Sequence, residues 1–213
     1  MAQTRQRRSP KEKWRRRRRR AISLFIFLMA TIALAWFFNS QATTTILFVR
    51  HAEVDPPLKA ANDDPSLSAR GRARARLLAN FVQDIDVVAG IDAIYATKFK
   101  RTQETAEPIA KRLGLTVHIA DPHKVTSFMN EVLNKHKGQI VLIVADASAI
   151  APMIEELHGS KHVKIRPMDY DNLYIVTVPW FAKVKTLRLH YAAGWQPPAL
   201  NDETSSVTTH VFP

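Results

Sequence analysis

Alternating stretches of apolar and polar residues divide most of the chain into short strands and amphipathic helices. Runs rich in β-branched residues are typical of buried strands, and apolar residues three and four positions apart predict helices. The predicted strands cover residues 45–49, 91–96, 117–120, 139–144, 172–178 and 185–190, and the predicted helices cover 69–82, 99–113, 125–136 and 149–158. This alternation predicts an α/β domain over residues 44–192. We expect a three-layer sandwich whose mostly parallel sheet has helices on both faces and ends in an antiparallel pair.

The predicted helix over 99–113 carries features that bear on its ends and its course. Thr97 precedes it and is a residue type that caps helix N-termini, while Gly114 follows it where glycine commonly ends a helix. Pro108 lies inside the same segment. Because proline lacks the backbone N–H and its ring clashes with the preceding turn, the sequence predicts a kink or a break there.

One stretch of the chain, residues 21–38, is apolar and contains no charged residue. Its 18 residues reach the lower length at which a helix spans the hydrocarbon of a bilayer. A buried core helix would have to adjoin the six consecutive arginines at 15–20, so we expect one transmembrane helix before the α/β domain. Since arginines next to a span are usually retained in the cytoplasm, residues 1–20 should form a basic cytoplasmic tail and the domain should face outward.

A cleaved signal peptide is the alternative to a membrane anchor. Ser40, Gln41 and Ala42 have the small-x-small form of a cleavage site. The apolar stretch is long for a signal peptide, which favours an uncleaved anchor, whereas cleavage would release the domain as a secreted protein. Both alternatives export the domain. The arginine-rich tail could additionally attract anionic lipid at the cytoplasmic face.

The charge of the chain is concentrated at its N-terminus. The formal net charge is +12 over 213 residues, and residues 1–20 alone carry +10. This basic tail has no aromatic interleaving beyond Trp14, so no nucleic acid is expected as a partner. The absence of cysteine from the sequence excludes disulfides, thiolate catalysis and cysteine-ligated metals. Residues 195–213 are rich in Pro, Asn, Asp, Ser and Thr and are expected to form a flexible tail.

Three of the predicted strands end near residues suited to phosphate chemistry. Arg50 and His51 follow the first strand, Arg101 lies near the start of the helix after the second, and Asp146 follows the strand over 139–144. In parallel sheets ligands bind beyond the carboxyl ends of the strands, so these side chains are expected to meet at one rim. Two guanidinium groups can hold phosphate oxygens while an imidazole attacks the phosphorus atom in line.

The motifs around these residues resemble the histidine phosphatase superfamily, also called phosphoglycerate-mutase-like. The resemblance extends over residues 44–190 and rests on Val49-Arg50-His51-Ala52-Glu53, on Leu67-Ser68 with Gly71, on Tyr95-Ala96-Thr97 leading to Arg101-Thr102-Gln103-Glu104-Thr105-Ala106, and on Asp171-Asn172-Leu173. By this resemblance, His51 would be the phosphorylated nucleophile, and Arg50 and Arg101 would hold the phosphate. The implied partner is a phosphorylated small molecule or a phosphoprotein, and no cofactor is expected.

Asp146 stands where the family pattern places a second histidine. The family typically has Gly-His at the end of this strand, whereas this chain reads Val144-Ala145-Asp146-Ala147-Ser148. An ionised carboxylate about 4 Å from a phosphate dianion repels it by several kcal/mol, which would weaken phosphomonoesterase activity severely. Asp146 could escape this repulsion by being protonated and acting as a hydrogen-bond donor or general acid. Alternatively, it could pair with Arg50 or Arg101 and fill the pocket.

The sequence does not single out a general acid. No glutamate stands at a clearly matching position, which leaves as candidates Glu53, Asp55, Asp121 and His123. The segment 116–137 is too short for the larger insertion of the mutase-like members, so the chain resembles the compact phosphohistidine phosphatases. The substrate of those enzymes has a labile phosphoramidate bond, whose cleavage needs less acid assistance. Thr105 is expected to be a surface or packing residue of its helix. No metal site is expected, because the eight histidines are scattered.

Two functions remain open from the sequence. The first is a membrane-anchored, outward-facing phosphatase that hydrolyses a phosphomonoester or phosphoprotein through a phosphohistidine intermediate on His51. The second is a catalytically degenerate family member that binds an anionic ligand or a protein partner. The role of Asp146 discriminates between the two.

Overall fold

The computed structural model describes residues 10–40, 43–55, 64–84, 90–121, 124–180 and 182–195. The chain divides into two compact units, Met1–Ala42 and Thr43–Pro213. Apart from Trp195, the predicted C-terminal tail lies outside the described residues, as do the first nine residues of the predicted basic tail.

The first unit contains a long helix, α1 (Pro10–Ser40). Its segment Arg17–Phe37 is long and apolar enough to cross a membrane. The apolar side chains of this segment are exposed, including Phe27 at 71% and Trp36 at 72%. A membrane span and a signal sequence share this length and composition, so α1 agrees with the apolar segment predicted at 21–38 and is compatible with both alternatives.

Six strands in the described part of the second unit form one sheet. They are β1 (Thr44–Arg50), β2 (Ala93–Thr97), β3 (Val117–Ala120), β4 (Ile140–Ala145), β5 (Asn172–Val178) and β6 (Lys185–His190). Their order across the sheet is β3-β2-β4-β1-β5-β6. The first four of these neighbours pair in parallel, and β5 pairs antiparallel with both β1 and β6. The mostly parallel sheet with a terminal antiparallel pair is therefore confirmed.

Four helices cover the two faces of this sheet. They are α2 (Ala69–Asp84), α3 (Lys100–Leu113), α4 (Val125–Lys135) and α5 (Ala147–Glu156). Every residue of β4 is buried, and successive side chains point to opposite faces. Val141 and Ile143 pack in the core with α4 and α5, whereas Leu142 and Val144 pack in the core with α2 and α3. The predicted three-layer sandwich is confirmed.

The course of α3 differs from the prediction in two respects. Thr97 is the last residue of β2 and does not cap α3. The N-cap position belongs to Phe99, because the strand extends one residue further than predicted. The helix also runs without interruption through Pro108. Ile109 and Ala110 are buried directly after the proline, and their packing holds the last turn in place despite the missing hydrogen bond.

Ser68 caps the N-terminus of α2. Its hydroxyl accepts the N–H of Gly71 at 3.0 Å and donates to the carbonyl of Glu53 at 3.2 Å. Gly71 lies so close to the same carbonyl that a Cβ there would be 2.0 Å from the Glu53 oxygen. Only glycine therefore allows α2 to approach the segment that follows β1. This packing fixes the course of the chain just beyond His51.

The start of α5 lies closer to β4 than predicted. The helix begins at Ala147, and Asp146 occupies its N-cap position directly after the strand. An aspartate there normally accepts a hydrogen bond from the first helical turn, but the side chain of Asp146 makes no such bond. The carboxylate is directed to another partner, described below.

Candidate active site

The carboxyl ends of three adjacent strands bring the predicted site residues together. In the β1–β4 pairing Arg50 is opposite Ala145, and the N–H of His51 donates to the Ala145 carbonyl at 3.1 Å. Asp146 follows immediately. Arg101 is the second residue of α3, which follows β2 on the other side of β4. The local order of strands and helices thus places these four residues at one rim, as expected for a parallel sheet.

The ring of His51 is oriented by a backbone carbonyl. His51 is 6% exposed, and its Nδ1 lies 2.8 Å from the carbonyl oxygen of Ala52. Because a carbonyl oxygen only accepts, Nδ1 carries the proton and Nε2 keeps its lone pair. Thr105 holds the same residue from the other side: its hydroxyl accepts the N–H of Ala52 at 3.0 Å and donates to the carbonyl of Arg101 at 2.7 Å.

The surroundings of His51 keep its imidazole neutral. Burial is the largest influence and lowers the pKa of His51, while the carbonyl of Ala52 and the charge of Asp146 raise it. The nearby charges of Arg50 and Arg101 lower it further, and the net effect is a pKa below the usual value of 6.5. At neutral pH the imidazole is therefore uncharged, which is the form that can act as a nucleophile.

Asp146 forms an ion pair with Arg101. One carboxylate oxygen, Oδ1, accepts a hydrogen bond from Nε of Arg101 at 2.8 Å and lies 2.7 Å from Nη2 in the ion pair. The same oxygen lies 3.5 Å from Nε2 of His51. The guanidinium of Arg101 also packs on the ring of Phe99, with its carbon 4.3 Å from the ring centroid. Of the two arginines considered as partners for Asp146, the structure pairs it with Arg101.

Arg50 lies beside His51, but its guanidinium is partly engaged by the loop before β5. Its Nη1 donates to the carbonyls of Arg166 at 3.1 Å and Pro167 at 2.8 Å. Its guanidinium stacks on the ring of Tyr170 at 4.2 Å, and that ring contacts His51 edge-on with centroids 6.2 Å apart. Nε of Arg50 is buried and has no hydrogen-bond partner among the described residues.

Three residues of the site were not assigned to it by the sequence. Tyr170 packs against both His51 and Arg50 and directly precedes the motif Asp171-Asn172-Leu173, which could have drawn attention to it. Asp64 accepts the N–H of Lys100 at 2.8 Å and lies 4.0 Å from Nη1 of Arg101. Thr105 had been expected at the surface or in packing; it is buried, and its hydroxyl bridges Ala52 and Arg101.

Glu53 is committed to a structural ion pair. Both of its carboxylate oxygens accept hydrogen bonds from Arg74 at 2.7 to 2.9 Å, and Arg70 approaches to 3.1 Å. Burial alone would raise the pKa of Glu53, but the hydrogen bonds and charges of these arginines lower it below the usual range. Glu53 is therefore ionised at neutral pH and is a poor proton donor.

The other general-acid candidates lie at the surface or outside the described residues. Asp55 and Asp121 are exposed, and His123 lies outside the described residues. Within the described ranges, no group of three or more His, Asp or Glu side chains is arranged to hold a metal ion.

Comparisons with known proteins agree with this fold and its motifs. Residues 46–122 match the model of the histidine phosphatase superfamily (branch 1). Over 87 residues the chain is 39% identical to an uncharacterized protein of Mycobacterium tuberculosis strain H37Rv, Rv0525, and equally to MT0547 of strain CDC 1551. Each match covers 39% of this chain and 41% of the relative's length.

Solved structures show the same fold at low identity. The protein histidine phosphatase SixA complexed with tungstate superposes with a TM-score of 0.57 at 19% identity, covering 70% of this chain and 98% of that chain. A mycobacterial glucosyl-3-phosphoglycerate phosphatase superposes with a TM-score of 0.52 at 12% identity, again over 70% of this chain and 98% of that chain. The segment that matches the family model spans the strand that leads to His51 and the helix that carries Arg101, so over residues 46–122 the chain is similar to the histidine phosphatase superfamily.

Proposed function

We propose that this protein is a phosphatase that hydrolyses a phosphate ester through a phosphohistidine intermediate on His51. The orientation of the His51 ring is the observation that supports this function. Its Nδ1–H is donated to Ala52, so the lone pair on Nε2 faces the rim, 3.5 Å from the Asp146 oxygen that Arg101 binds. A phosphate oxygen in the place of that carboxylate oxygen would bring phosphorus within reach of Nε2.

The proposed reaction has two steps. Nε2 of His51 attacks phosphorus as the bond to the leaving oxygen breaks, and the leaving oxygen takes up a proton. Water then attacks the phosphohistidine, the N–P bond breaks, and inorganic phosphate is released. Arg101 and Arg50 would hold the phosphoryl oxygens through both steps. The buried Nε of Arg50, without a partner among the described residues, is a donor that such an oxygen can satisfy.

Phosphate can reach Arg101 only by displacing Asp146. Two unit negative charges 4 Å apart repel by about 4 kcal/mol at an effective dielectric constant of about 20, so a bound phosphate and an ionised Asp146 are poor neighbours. We propose that Asp146 takes up a proton as phosphate binds and donates it to the leaving oxygen. Asp146, which pairs with Arg101 before phosphate binds, would then be the general acid of the first step.

A catalytically degenerate protein is the second candidate, and the ion pair itself favours it. Arg101 donates a hydrogen bond to Asp146 and forms an ion pair with it, so its guanidinium already has an anionic partner. In that case the rim would bind an anionic ligand or a protein partner weakly, without turnover. The two candidates differ in whether Asp146 can be displaced.

Hydrolysis of p-nitrophenyl phosphate by the full-length chain tests both candidates. We expect the parent to be active and His51→Ala to lose activity by a factor of about 10³ or more. The parent should also give a phosphohistidine that is stable to base and labile to acid. An inactive parent that gains activity on Asp146→His would instead favour the degenerate protein. Equal activity of the parent and His51→Ala would show that His51 is not the nucleophile.

We further propose that residues 21–38 anchor the protein in a membrane, with residues 1–20 in the cytoplasm and the domain outside. The length and composition of α1 and the arginines at 15–20 support this arrangement. The substrate would then be an exported phosphorylated small molecule or phosphoprotein, and the arginines would contact anionic lipid. An alkaline phosphatase reporter fused after Pro213 should be active. Inactivity would contradict the topology, and an N-terminus at residue 43 would indicate a cleaved signal.

A further inference from the structure

A cavity opens beside the Arg101–Asp146 ion pair, on the face covered by α4 and α5. It has a volume of about 380 Å³, and these two residues supply the only charged side chains of its described lining. The other lining residues are mainly apolar: Phe99, Val125, Ala149 and Pro152, with Ser148 as the one neutral polar side chain. The cavity is thus charged where phosphate is proposed to bind and apolar further away.

A second cavity, of about 660 Å³, adjoins the first. Both are lined by Val125 and Pro152, so together they form a groove between α4 and α5, which we name the α4–α5 groove. The second part adds further apolar side chains, namely Leu133, Leu157, Val178, Pro179, Ala182 and Val184. Its polar side chains, Asn130, Glu155, Glu156 and His158, are all exposed. Several of the apolar residues are half-buried and pack on the core cluster under the groove, which gives it a stable floor.

The side chains of the α4–α5 groove restrict which leaving groups a phosphate ester bound at Arg101 can have. In the first cavity, a polyol or sugar could hydrogen-bond to only one neutral polar side chain of the described lining, that of Ser148. An anionic leaving group would meet Asp146 first and then Glu155 and Glu156. An uncharged apolar chain, by contrast, can remain in contact with Val125 and Pro152 as it passes from one cavity to the next.

We infer that the substrate is an amphiphilic phosphate monoester whose uncharged apolar chain lies in the α4–α5 groove. This inference rests on the proposed function, because it places the phosphate of that substrate at Arg101. Val125 is the specificity-determining residue, since it lines both cavities and begins α4. Binding energy from the chain would help the phosphate to displace Asp146 from Arg101.

Binding of non-hydrolysable alkylphosphonates tests the inference without requiring turnover. Ethyl-, butyl- and hexylphosphonate would be titrated calorimetrically into the full-length chain in lipid nanodiscs, with empty nanodiscs as the blank. Partial burial of four additional methylenes should make hexylphosphonate bind about tenfold tighter than ethylphosphonate. Val125→Asn should reduce that ratio to about threefold or less, because it adds a polar amide to both cavities.

Val163→Asn is the matched control. Val163 is also half-buried against the same core cluster, but it lines neither cavity. The ratio of hexylphosphonate to ethylphosphonate affinity in Val163→Asn should therefore equal that of the parent. If Val125→Asn does not fold, Ser148→Leu provides the second test: it adds apolar surface at an exposed position and should raise the ratio above the parent value.

The possible outcomes separate this inference from the proposed function. Phosphonate affinity that rises with alkyl chain length in the parent and loses most of this dependence in Val125→Asn supports the inference. This holds even if aryl phosphates are not hydrolysed, and in that case only the proposed function fails. Aryl phosphate hydrolysis that depends on His51, with equal affinity for all three phosphonates, overturns the inference alone. Failure of every phosphonate to bind overturns the inference, and the proposed function falls with it only if aryl phosphates are not hydrolysed either.

Discussion

Two arginine–carboxylate pairs lie near His51, and they differ in how completely each is satisfied. In the Glu53–Arg74 pair both carboxylate oxygens are bonded, Arg70 adds a second cation, and Trp195 covers the guanidinium of Arg74 at 5.0 Å. The Arg74 side chain is 8% exposed. This pair has little capacity for an additional ligand.

The Arg101–Asp146 pair is more open. Nε and Nη2 of Arg101 both approach Oδ1, and within the described residues Oδ2 accepts no hydrogen bond. The two side chains are 15% and 19% exposed, and a cavity adjoins them. An arginine and a carboxylate can therefore either stabilise the fold or remain available to bind a ligand. Which role they have depends on how many of their hydrogen-bonding atoms already have partners.

Removing the carboxylate from the closed pair should have the largest effect. Glu53→Ala leaves the buried guanidinium of Arg74 without its partner, and we expect the free energy of unfolding to fall by about 3–5 kcal/mol. Urea denaturation followed by circular dichroism measures this loss. Arg70→Ala is the control, since its side chain is 56% exposed, and it should cost about 1 kcal/mol or less. Equal losses for both variants would contradict the distinction drawn between the two pairs.

Neutralising the open pair should instead improve anion binding. Asp146→Asn keeps the shape of the side chain and removes the charge that competes for Arg101, so the affinity for tungstate should rise by about 10²-fold. Isothermal titration calorimetry gives the two dissociation constants. If Asp146 is the general acid, the same variant should hydrolyse alkyl phosphates more slowly while binding them more tightly. Unchanged tungstate affinity would mean that Asp146 does not block the site.

Thr105→Val should have a smaller, mixed effect. It leaves the N–H of Ala52 without its acceptor, which should cost about 1–3 kcal/mol of stability. Because the Ala52 peptide orients the His51 ring, kcat should also fall while the KM for p-nitrophenyl phosphate changes little. Thr105→Ser keeps the hydroxyl and should restore most of the activity. A Thr105→Ser variant as slow as Thr105→Val would point to loss of packing rather than of the hydrogen bond.

The smallest expected effect concerns pH. The lowered pKa of His51 means that the folded protein keeps this imidazole neutral at a pH where an unfolded chain already protonates it. The resulting contribution to stability is fully present above about pH 6.5 and declines as the pH falls toward the lowered pKa. An NMR titration should therefore place the His51 midpoint below the usual histidine value of 6.5. A midpoint above it would show that Asp146 outweighs burial and the two arginines.

Much of the fold follows from local patterns in the sequence. The apolar runs of β1 and β4 and the helical spacing in α2 to α5 determined an alternating α/β order, and this order places strand ends at one rim. The prediction failed at Thr97, where a local capping preference was outweighed by strand pairing. Of the two alternatives predicted at Pro108, the break does not occur, because the residues directly after the proline are buried.

Local sequence patterns predicted that Arg50, His51, Arg101 and Asp146 lie at or near the carboxyl ends of parallel strands, because a residue's position relative to its own strand is a local property. The partners with which these side chains form ion pairs and hydrogen bonds depend on the tertiary structure. Asp146 pairs with Arg101, 45 positions away, and Arg50 donates to Pro167, 117 positions away. Such choices depend on differences of a few ångströms between segments packed together by the whole core, and a linear pattern of residues does not encode those distances.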